Sequence, residues 1–483
     1  MSDPQKFESW KKLQRLASAI PELKPTCSPL YSVSNENICI NYSGQLVNGP
    51  ILDALIELAY ESGLKERINE LFSGGLINHT EKRPALHTAL RAFAHQKIHV
   101  NECDVVQEVV QARNKMNLIS TKIREGAWLG YSGKPITDVV NIGIGGSMYS
   151  PMLCINALSD YVTDKLKFYF VAEINPHAFA KISSKLNPET TLFIVSSKSF
   201  TTIETLENLN KAIAWINQPQ HFNNHFIAIT ANLEKATELG FNHIVPLWDW
   251  VGGRYSCCSS ISLITCIAVG FENFSLILDG ANQMDNHFYS AEFSKNLPVL
   301  LGLLGIWNIN FLHYSSLLIL TYSDYLSLLV PYLQQLDMES NGKSIDREGL
   351  RVDYHTGPIV WGGSGNLSQH SYFQLLCQSR HKIAVDLISI QGSKHEKINK
   401  ICLGHRDILI RGVTAEQNPY DHIPGRVPVN HISLDDCTPQ TLGALISLFE
   451  HKIFVQGIIW NINSFDQPGI ECAKKIFNLK LDL

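Results

Sequence analysis

The stretch QLDMESNGKS (residues 335–344) holds a carboxylate, Glu339, at the end of an apolar helical stripe. The stripe consists of apolar side chains that recur at helical spacing, namely Leu326, Leu329, Val330, Leu333 and Leu336. Taken alone, Glu339 is either a solvated helix end or a base directed into a cleft. The other polar clusters of the chain are needed to separate these two interpretations.

Two stretches that follow β-rich runs contain many glycines or hydroxyl groups. NIGIGGSMYSP places Gly146 and Ser147 before a predicted helix, where the backbone can approach a ligand and free N–H groups can bind an anion. Met148 breaks the dinucleotide-binding pattern, so a tight turn is the alternative. VSSKSFTTIET is a candidate phosphate-binding loop, with helix capping as the alternative, and its polar residues are Ser196, Ser197, Lys198, Ser199, Thr201 and Thr202.

Four more residues have side chains suited to a reactive site. Arg254, in WDWVGGRYS, follows two glycines and could stabilise an anion formed during a reaction. A surface arginine, or one paired with Asp249, is the alternative. His370 begins an aromatic-rich helical stretch, and Gln467 and Lys474 share a predicted C-terminal helix. A structural histidine and a solvent-facing lysine are the alternatives there.

A carboxylate, an arginine, a histidine, a lysine and a phosphate-binding loop together suit the interconversion of an aldose and a ketose. That reaction moves a proton between adjacent carbons through an enediolate. It needs a base of near-neutral pKa, a cation beside the developing oxyanion and groups that open a sugar ring. The sequence has no HExxH motif, and His221 and His225 precede a predicted strand. We therefore expect no metal and no cofactor.

The elements that would position these residues alternate between strand and helix. β-rich runs occupy residues 139–144, 167–174, 191–197 and 225–230, and the alternation restarts near residue 315. This pattern favours an α/β fold with parallel sheets flanked by helices, in which ligands bind beyond the carboxyl ends of the strands. We predict an N-terminal helical segment at 1–118, α/β units at 119–275 and 276–465, and a C-terminal helix or arm at 466–483.

Two helices are predicted from capping residues. HTEKRPALHTALRAF (79–93) has Thr80 as a candidate cap and Pro84 near the first turn. The apolar stretch 438–460 has Thr438 as its cap and Pro439 at the first helical position.

Composition limits the classes of partner and location. The 483 residues are 45% hydrophobic, which is enough for a large core and suggests two or three domains. A net charge of −5 without a basic run argues against nucleic acid. The N-terminus lacks a signal-peptide core, the apolar stretch 297–307 is too short to cross a bilayer, and the eleven cysteines lack a disulfide spacing. We therefore expect a cytoplasmic protein without a membrane partner.

Several motifs taken together resemble the glucose-6-phosphate isomerase (phosphoglucose isomerase) family from about residue 42 to 475. They are LINHTEKRPALHTALR, NIGIGGS, SSKSFTT, WDWVGGRYS, QQLDMESNGKS and LGALISLFEHKIFVQGIIWNINSFDQ. The resemblance implies two flavodoxin-like sugar-isomerase (SIS) domains. It implies interconversion of glucose 6-phosphate and fructose 6-phosphate in glycolysis and gluconeogenesis. It also implies a homodimer with active sites at the subunit boundary.

The resemblance also implies a role for each candidate residue. Glu339 would move the proton between C1 and C2, and Arg254 would stabilise the enediolate. His370, contributed by the neighbouring subunit, and Lys474 would assist ring opening. The residues implied to bind phosphate are Ser147, Ser197, Lys198, Ser199 and Thr202, and those implied to hold the substrate are Gly146, Gln335 and Gln467.

The sequence departs from the family pattern near the implied site. Met148, Tyr149 and Ser150 replace the usual residues after GIGGS, Ser199 replaces a threonine, and Pro468 replaces a tryptophan. The largest change is at residues 365–369, before His370, which puts the geometry of that loop in question.

Two other functions compete with isomerisation of glucose 6-phosphate. A non-catalytic phosphosugar-binding SIS protein would keep the hydroxyl-rich loop and lose the base, the histidine and the lysine, whereas all three positions are filled here. A related enzyme could act on mannose 6-phosphate or transfer ammonia to fructose 6-phosphate. Ammonia transfer would normally need a glutamine-hydrolysing partner with an N-terminal cysteine nucleophile, and this sequence begins MSDPQ.

Overall fold

Strands and helices alternate along the chain. The computed structural model of the protein describes residues 3–18, 20 and 31–481. Its strands are β1 (Ser32–Ser34), β2 (Ile38–Gly44), β3 (His99–Val100), β4 (Cys103–Asp104), β5 (Asp138–Ile142), β6 (Lys167–Val171), β7 (Thr191–Ser196), β8 (Phe226–Thr230), β9 (Ile244–Pro246), β10 (Ser316–Thr321), β11 (Ile359–Ser364), β12 (Ile383–Ile390) and β13 (Val429–Leu434).

Helices cover both faces of the sheets. The α-helices are α1 (Glu8–Ala17), α2 (Gly49–Glu61), α3 (Leu64–Ser73), α4 (Val105–Arg124), α5 (Gly146–Ala157), α6 (Pro176–Ser183), α7 (Ile203–Ile216), α8 (Phe222–His225), α9 (Leu233–Glu238), α10 (Leu263–Val269), α11 (Phe271–Ser290), α12 (Leu297–Ile306), α13 (Leu329–Gln334), α14 (Gly365–Ser368), α15 (Phe373–Gln378), α16 (Glu396–Arg411), α17 (Pro439–Ile459) and α18 (Pro468–Leu481).

The first large sheet has the order β6-β5-β7-β8-β9, and all its strands are parallel. Its central strands β5 and β7 are buried along their whole length, as expected when helices cover both faces. Since parallel strands end at one edge, the loops after β5 and β7 lie side by side.

The second large sheet has the order β1-β2-β13-β12-β10-β11. The last four strands of this order are parallel, whereas β2 pairs antiparallel with β13 and β1 pairs antiparallel with β2. The prediction of a helical segment over residues 1–118 is therefore wrong for residues 32–44. Apolar side chains of β2 such as Ile38 and Ile40 are buried there against the sheet, which is typical of a strand that extends a core.

The predicted helix at 79–93 is also wrong. Asn78 and Arg83 form a β-bridge, and only Ala89–Arg91 adopt a short 3₁₀ turn. Thr80 caps no helix, because its hydroxyl donates to the Asp466 carboxylate at 2.6 Å. These tertiary contacts override the local helix preference.

The helix predicted at 438–460 is confirmed as α17. Thr438 accepts a hydrogen bond from the Thr441 N–H, and Pro439 occupies the first helical position. Within the described residues, α17 is the one helix long and apolar enough to span a membrane, and it is wholly buried inside the protein. It packs along α11 and α12, and carries Glu450, His451 and Lys452 in the interior.

A continuous hydrophobic core joins the two sheets. It includes Val139 and Leu192 from the first sheet, Ile319 and Ile388 from the second, and the length of α17. The boundary predicted at residues 275–276 falls inside α11.

Candidate active site

A cleft of about 950 Å³ opens beyond the carboxyl end of β7. It brings together side chains from four stretches that the sequence singled out, although they lie far apart in the chain. The predicted site residues that line it are Lys198, Ser199, Thr202, Arg254, Gln335, Glu339, Gln467 and Lys474.

Glu339 lies on a π-helical turn that continues α13. The turn covers Gln335–Glu339, and such wide turns are frequent at functional sites. Leu336 and Asp337 are buried on its inner side, and the Asp337 carboxylate accepts a hydrogen bond from Lys452 at 2.6 Å. The Glu339 carboxylate faces the cleft with 24% of its side chain exposed, and accepts a hydrogen bond from the Gln335 amide at 2.9 Å. The carboxylate is therefore oriented rather than freely solvated.

Arg254 lies on the 3₁₀ turn Gly253–Tyr255 and is almost fully buried. Its Nε donates to the Ser340 hydroxyl at 2.6 Å, and Nη2 donates to the carbonyls of Ser464 and Asp466 at 2.7 and 3.0 Å. Its Nη1 lies 3.8 Å from the Glu339 carboxylate. A fixed positive charge beside a candidate base can stabilise negative charge that develops on a substrate oxygen.

The alternative pairing of Arg254 with Asp249 does not occur. The Asp249 carboxylate lies 3.9 Å from the Arg83 guanidinium and 4.0 Å from the Lys198 ammonium, on the rim of the cleft. Arg83 also pairs with Glu81, and both residues line the cleft.

Hydrogen bonds among its own residues stabilise the hydroxyl-rich loop between β7 and α7. The hydroxyls of Ser197 and Thr202 lie 3.2 Å apart, Phe200 N–H donates to the Ser197 hydroxyl, and Thr201 donates to Ser199 at 2.7 Å. Thr202 is the N-cap residue of α7, yet its side chain makes no capping hydrogen bond. The first N–H groups of α7 are thus available to an anion.

Lys198 brings a cation to this loop. Its ammonium donates to the carbonyls of Asp249 and Val251 at 2.7 and 2.9 Å. Burial, with a smaller contribution from Arg83, lowers the pKa of Lys198 to about 8. An anion bound here would favour the protonated form.

The glycine-rich loop after β5 packs against Gln335 and Gly253, two residues that line the cleft. Gly145 has a positive φ of 62°, and a side chain there would collide with the Gln335 amide. A Cβ at Gly146 would lie 1.9 Å from the Gly253 carbonyl oxygen. Glycine is thus required for this loop to pack against the turn of Arg254. Gly146, Ser147 and Ser197 do not themselves line the cleft.

A family model for phosphoglucose isomerase matches residues 41–481. The chain belongs to the phosphoglucose isomerase family. Glucose-6-phosphate isomerase of Legionella pneumophila (strain Lens) is 52% identical over 474 residues, which cover 96% of this chain and 95% of that protein. Glucose-6-phosphate isomerase of Shewanella sp. (strain ANA-3) is 42% identical over 506 residues, covering 97% and 93%.

A solved structure has the same overall fold. The crystal structure of a glucose-6-phosphate isomerase from Chlamydia trachomatis D/UW-3/Cx matches with a TM-score of 0.93 and 29% identity, covering 100% of this chain and 96% of that chain. The predicted family and the predicted α/β fold are therefore confirmed.

Two of the predicted site residues, Gln467 and Lys474, lie on the C-terminal arm. The Gln467 side chain accepts a hydrogen bond from Arg254 at 2.9 Å and donates one to Glu471 at 3.0 Å. Lys474 follows on α18 and lines the cleft, with its side chain exposed. The arm therefore closes one side of the cleft.

His370 is a further predicted site residue that the structure does not bring to the cleft. It follows α14 and is exposed, and it is absent from the cleft lining of its own chain. Of the divergent residues 365–369, the first four form this short helix, in which a Cβ at Gly365 would collide with the Tyr322 ring. Gly365 and Ser368 are therefore buried, whereas Asn366, Leu367 and Gln369 are exposed.

Sequence reasoning missed several polar residues around the cleft. Lys343 and Asp466 form an ion pair of 3.2 Å beneath Glu339, and Arg83 and Asp249 lie at the rim. Lys343 and Arg83 stand inside motifs that carry the family resemblance, which is the signal that could have found them. Within the described ranges, no group of three or more His, Cys, Asp or Glu side chains is placed to hold a metal ion.

Proposed function

We propose that the protein interconverts glucose 6-phosphate and fructose 6-phosphate by opening the sugar ring and moving a proton between C1 and C2. The observation that carries this proposal is the arrangement of one cleft. A carboxylate held by Gln335 lies 3.8 Å from a buried guanidinium, and the same cleft contains a hydroxyl-rich loop at a helix start.

In this proposal the substrate phosphate binds to the loop between β7 and α7. Ser199 and Thr202 supply hydroxyls, α7 supplies N–H groups, and Lys198 supplies charge. We place Ser147 and Ser197 as supports of this subsite. The sugar chain then extends toward Glu339, which removes the proton from one carbon and returns it to the other. Arg254 stabilises the enediolate oxygen, and Gln335 and Gln467 hold the substrate.

The experiment that tests this function is conversion of fructose 6-phosphate to glucose 6-phosphate by the purified protein. EDTA is present throughout, and product is followed through a coupled glucose-6-phosphate dehydrogenase. We expect turnover that EDTA does not change. A folded protein that binds the phosphosugar without turning it over would contradict the proposal and favour a sugar-phosphate sensor. We also propose a cytoplasmic location, where sugar phosphates are metabolised.

The affinity of the free enzyme for substrate is expected to depend on the charge of Lys198. Its pKa of about 8 means that the ammonium is protonated below this pH and loses its proton as the pH rises. We expect kcat/KM to fall above about pH 8, by up to about tenfold per pH unit, because the uncharged amine no longer attracts phosphate. The measurement is a pH profile of kcat/KM between pH 6 and about 10.

A variant is needed to assign that change, because burial also lowers the pKa of Lys343 to about 8. Lys198→Arg keeps its charge over this range. In this variant kcat/KM should not decrease near pH 8, even if its affinity for the substrate is lower at every pH. Identical profiles for wild type and Lys198→Arg would show that Lys198 is not the titrating group.

We further propose a homodimer in which His370 of one copy completes the cleft of the other. Support comes from the position of His370, which is exposed and outside the cleft of its own chain. Lys474 lines that cleft within the same chain and would share ring opening with the histidine.

Mixing two inactive variants would test the shared site. In a mixed dimer of Glu339→Gln and His370→Ala, one site carries both changes and the other carries neither. After unfolding and refolding an equal mixture, we expect activity to recover to about a quarter of wild type, since half of the dimers are mixed. Each variant refolded alone is the control. No recovery in mixtures shown to contain mixed dimers would contradict a shared site.

A further inference from the structure

Lys343 is largely buried next to the proposed base. It does not line the substrate cleft itself, but it lines a neighbouring cavity of about 700 Å³ that shares Glu339 and Gln467 with the cleft. Its Nζ lies within hydrogen-bonding distance of four main-chain carbonyl oxygens, those of Glu339 at 3.1 Å, Ser340 at 2.6 Å, Asn463 at 3.0 Å and Asp466 at 2.9 Å, among which its three N–H groups are shared. Only 11% of its side chain is exposed. Because these oxygens surround the ammonium, it is held in place.

The four carbonyls belong to two separate parts of the proposed site. Glu339 and Ser340 end the helix that carries the base. Asn463 and Asp466 belong to the turn 463–467, which leads into α18 with Gln467 and Lys474. A single ammonium therefore joins the helix end to the turn.

The groups around Lys343 are negatively charged or carry partial negative charge, so they attract its ammonium. Carbonyls at a helix C-terminus carry partial negative charge, and the Asp466 carboxylate lies 3.2 Å from the ammonium. Thr80 holds the other oxygen of that carboxylate at 2.6 Å. Arg254 binds Ser464 and Asp466 from the cleft side, so the turn is held between two cations.

We propose that Lys343 is a positioning residue that holds the helix of the base and the C-terminal arm in one fixed arrangement. This inference rests on the proposed isomerase function. It assigns Lys343 no contact with substrate and no proton transfer. Its loss lets Glu339 and the arm shift relative to each other, so the reaction slows although the phosphate subsite is unchanged.

The test compares Lys343→Met with a second lysine that donates to a main-chain carbonyl. Lys382 is exposed, unlike Lys343, and its ammonium donates to the carbonyl of Leu312 at 2.8 Å, so Lys382→Met controls for the loss of such a hydrogen bond outside the site. Lys382 lies outside the cleft. We expect Lys343→Met to lower kcat by about 10- to 100-fold and to leave KM within about threefold, since small misplacements of reacting groups cost this much. Lys382→Met should keep wild-type kcat.

A second readout separates misplacement from a loss of folded protein. With glucose 6-phosphate deuterated at C2, the isotope effect on kcat should rise in Lys343→Met, because proton transfer becomes more rate-limiting. Unfolding in urea gives the stability of each variant, and Lys343→Gln, which keeps two N–H donors, replaces Lys343→Met if the latter does not fold.

The outcomes distinguish this inference from the proposed function. Absence of wild-type turnover would overturn the function itself. If the wild-type enzyme turns over, two results would overturn the positioning role alone. One is a kcat of Lys343→Met within threefold of the wild-type value. The other is a decrease in kcat of Lys382→Met as large as that of Lys343→Met.

Discussion

Glu339→Gln is expected to lower kcat by at least about 10³-fold and to leave the fold unchanged, because an amide cannot accept the proton that the carboxylate transfers. The amide has the shape of the carboxylate, so the hydrogen bond with Gln335 can persist. The measurement is kcat for fructose 6-phosphate together with loss of deuterium from C2-labelled glucose 6-phosphate. Both should fall together if Glu339 is the base.

Glu234→Gln is the matched control for that change. Glu234 lines the same cleft on α9, is exposed, and has no role in the proposed chemistry. We expect its kcat to stay within about threefold of wild type, as for a surface change. Near-wild-type turnover in Glu339→Gln would instead rule out this residue as the base.

Arg91→Met is expected to lower the free energy of unfolding by about 3–5 kcal/mol, because it leaves two buried carboxylates without their cation. Arg91 bonds to both oxygens of Asp285, at 2.7 and 2.6 Å, and to Glu450. Burial raises the pKa of Glu450 to about 7 even with Arg91 present, which indicates how costly its charge is in this environment. The measurement is urea unfolding at constant protein concentration.

Arg67→Met provides the comparison for a partly exposed pair. Arg67 pairs with Glu70, and their side chains are 28% and 29% exposed. We expect a loss below about 1 kcal/mol, since solvent screens such pairs. If both variants lose the same free energy of unfolding, the buried Arg91 cluster stabilises the fold no more than a partly exposed ion pair does.

Those site residues whose positions follow from the local sequence pattern could be predicted from the sequence. A strand-like run followed by a hydroxyl cluster placed Lys198 at a strand end, the glycine pair before it singled out Arg254, and the helical stripe placed Glu339 at a helix terminus. The π-helical turn at Glu339 was not predicted from local pattern, and its buried Asp337 has its partner, Lys452, 115 residues later in the chain.

Other features depend on contacts between distant segments, and local pattern did not predict them. The stretch 79–93 has a cap and good helix formers, but Arg91 is fixed by Asp285 and Glu450. Lys343, after a glycine, has the pattern of a solvent-facing residue, and its burial depends on carbonyls about 120 residues away. The strand pairing of β2 with β13 is equally remote in sequence.

The position of α17 in the chain has a consequence for how the protein is made. Its partners α11 and α12 leave the ribosome well before it, so a nascent chain that stops short of residue 439 has an open apolar groove and no helix to fill it. The core can close only when the last tenth of the polypeptide is being synthesised. Stalled or nonsense-truncated chains should therefore be substrates for chaperones and proteases, rather than folded fragments.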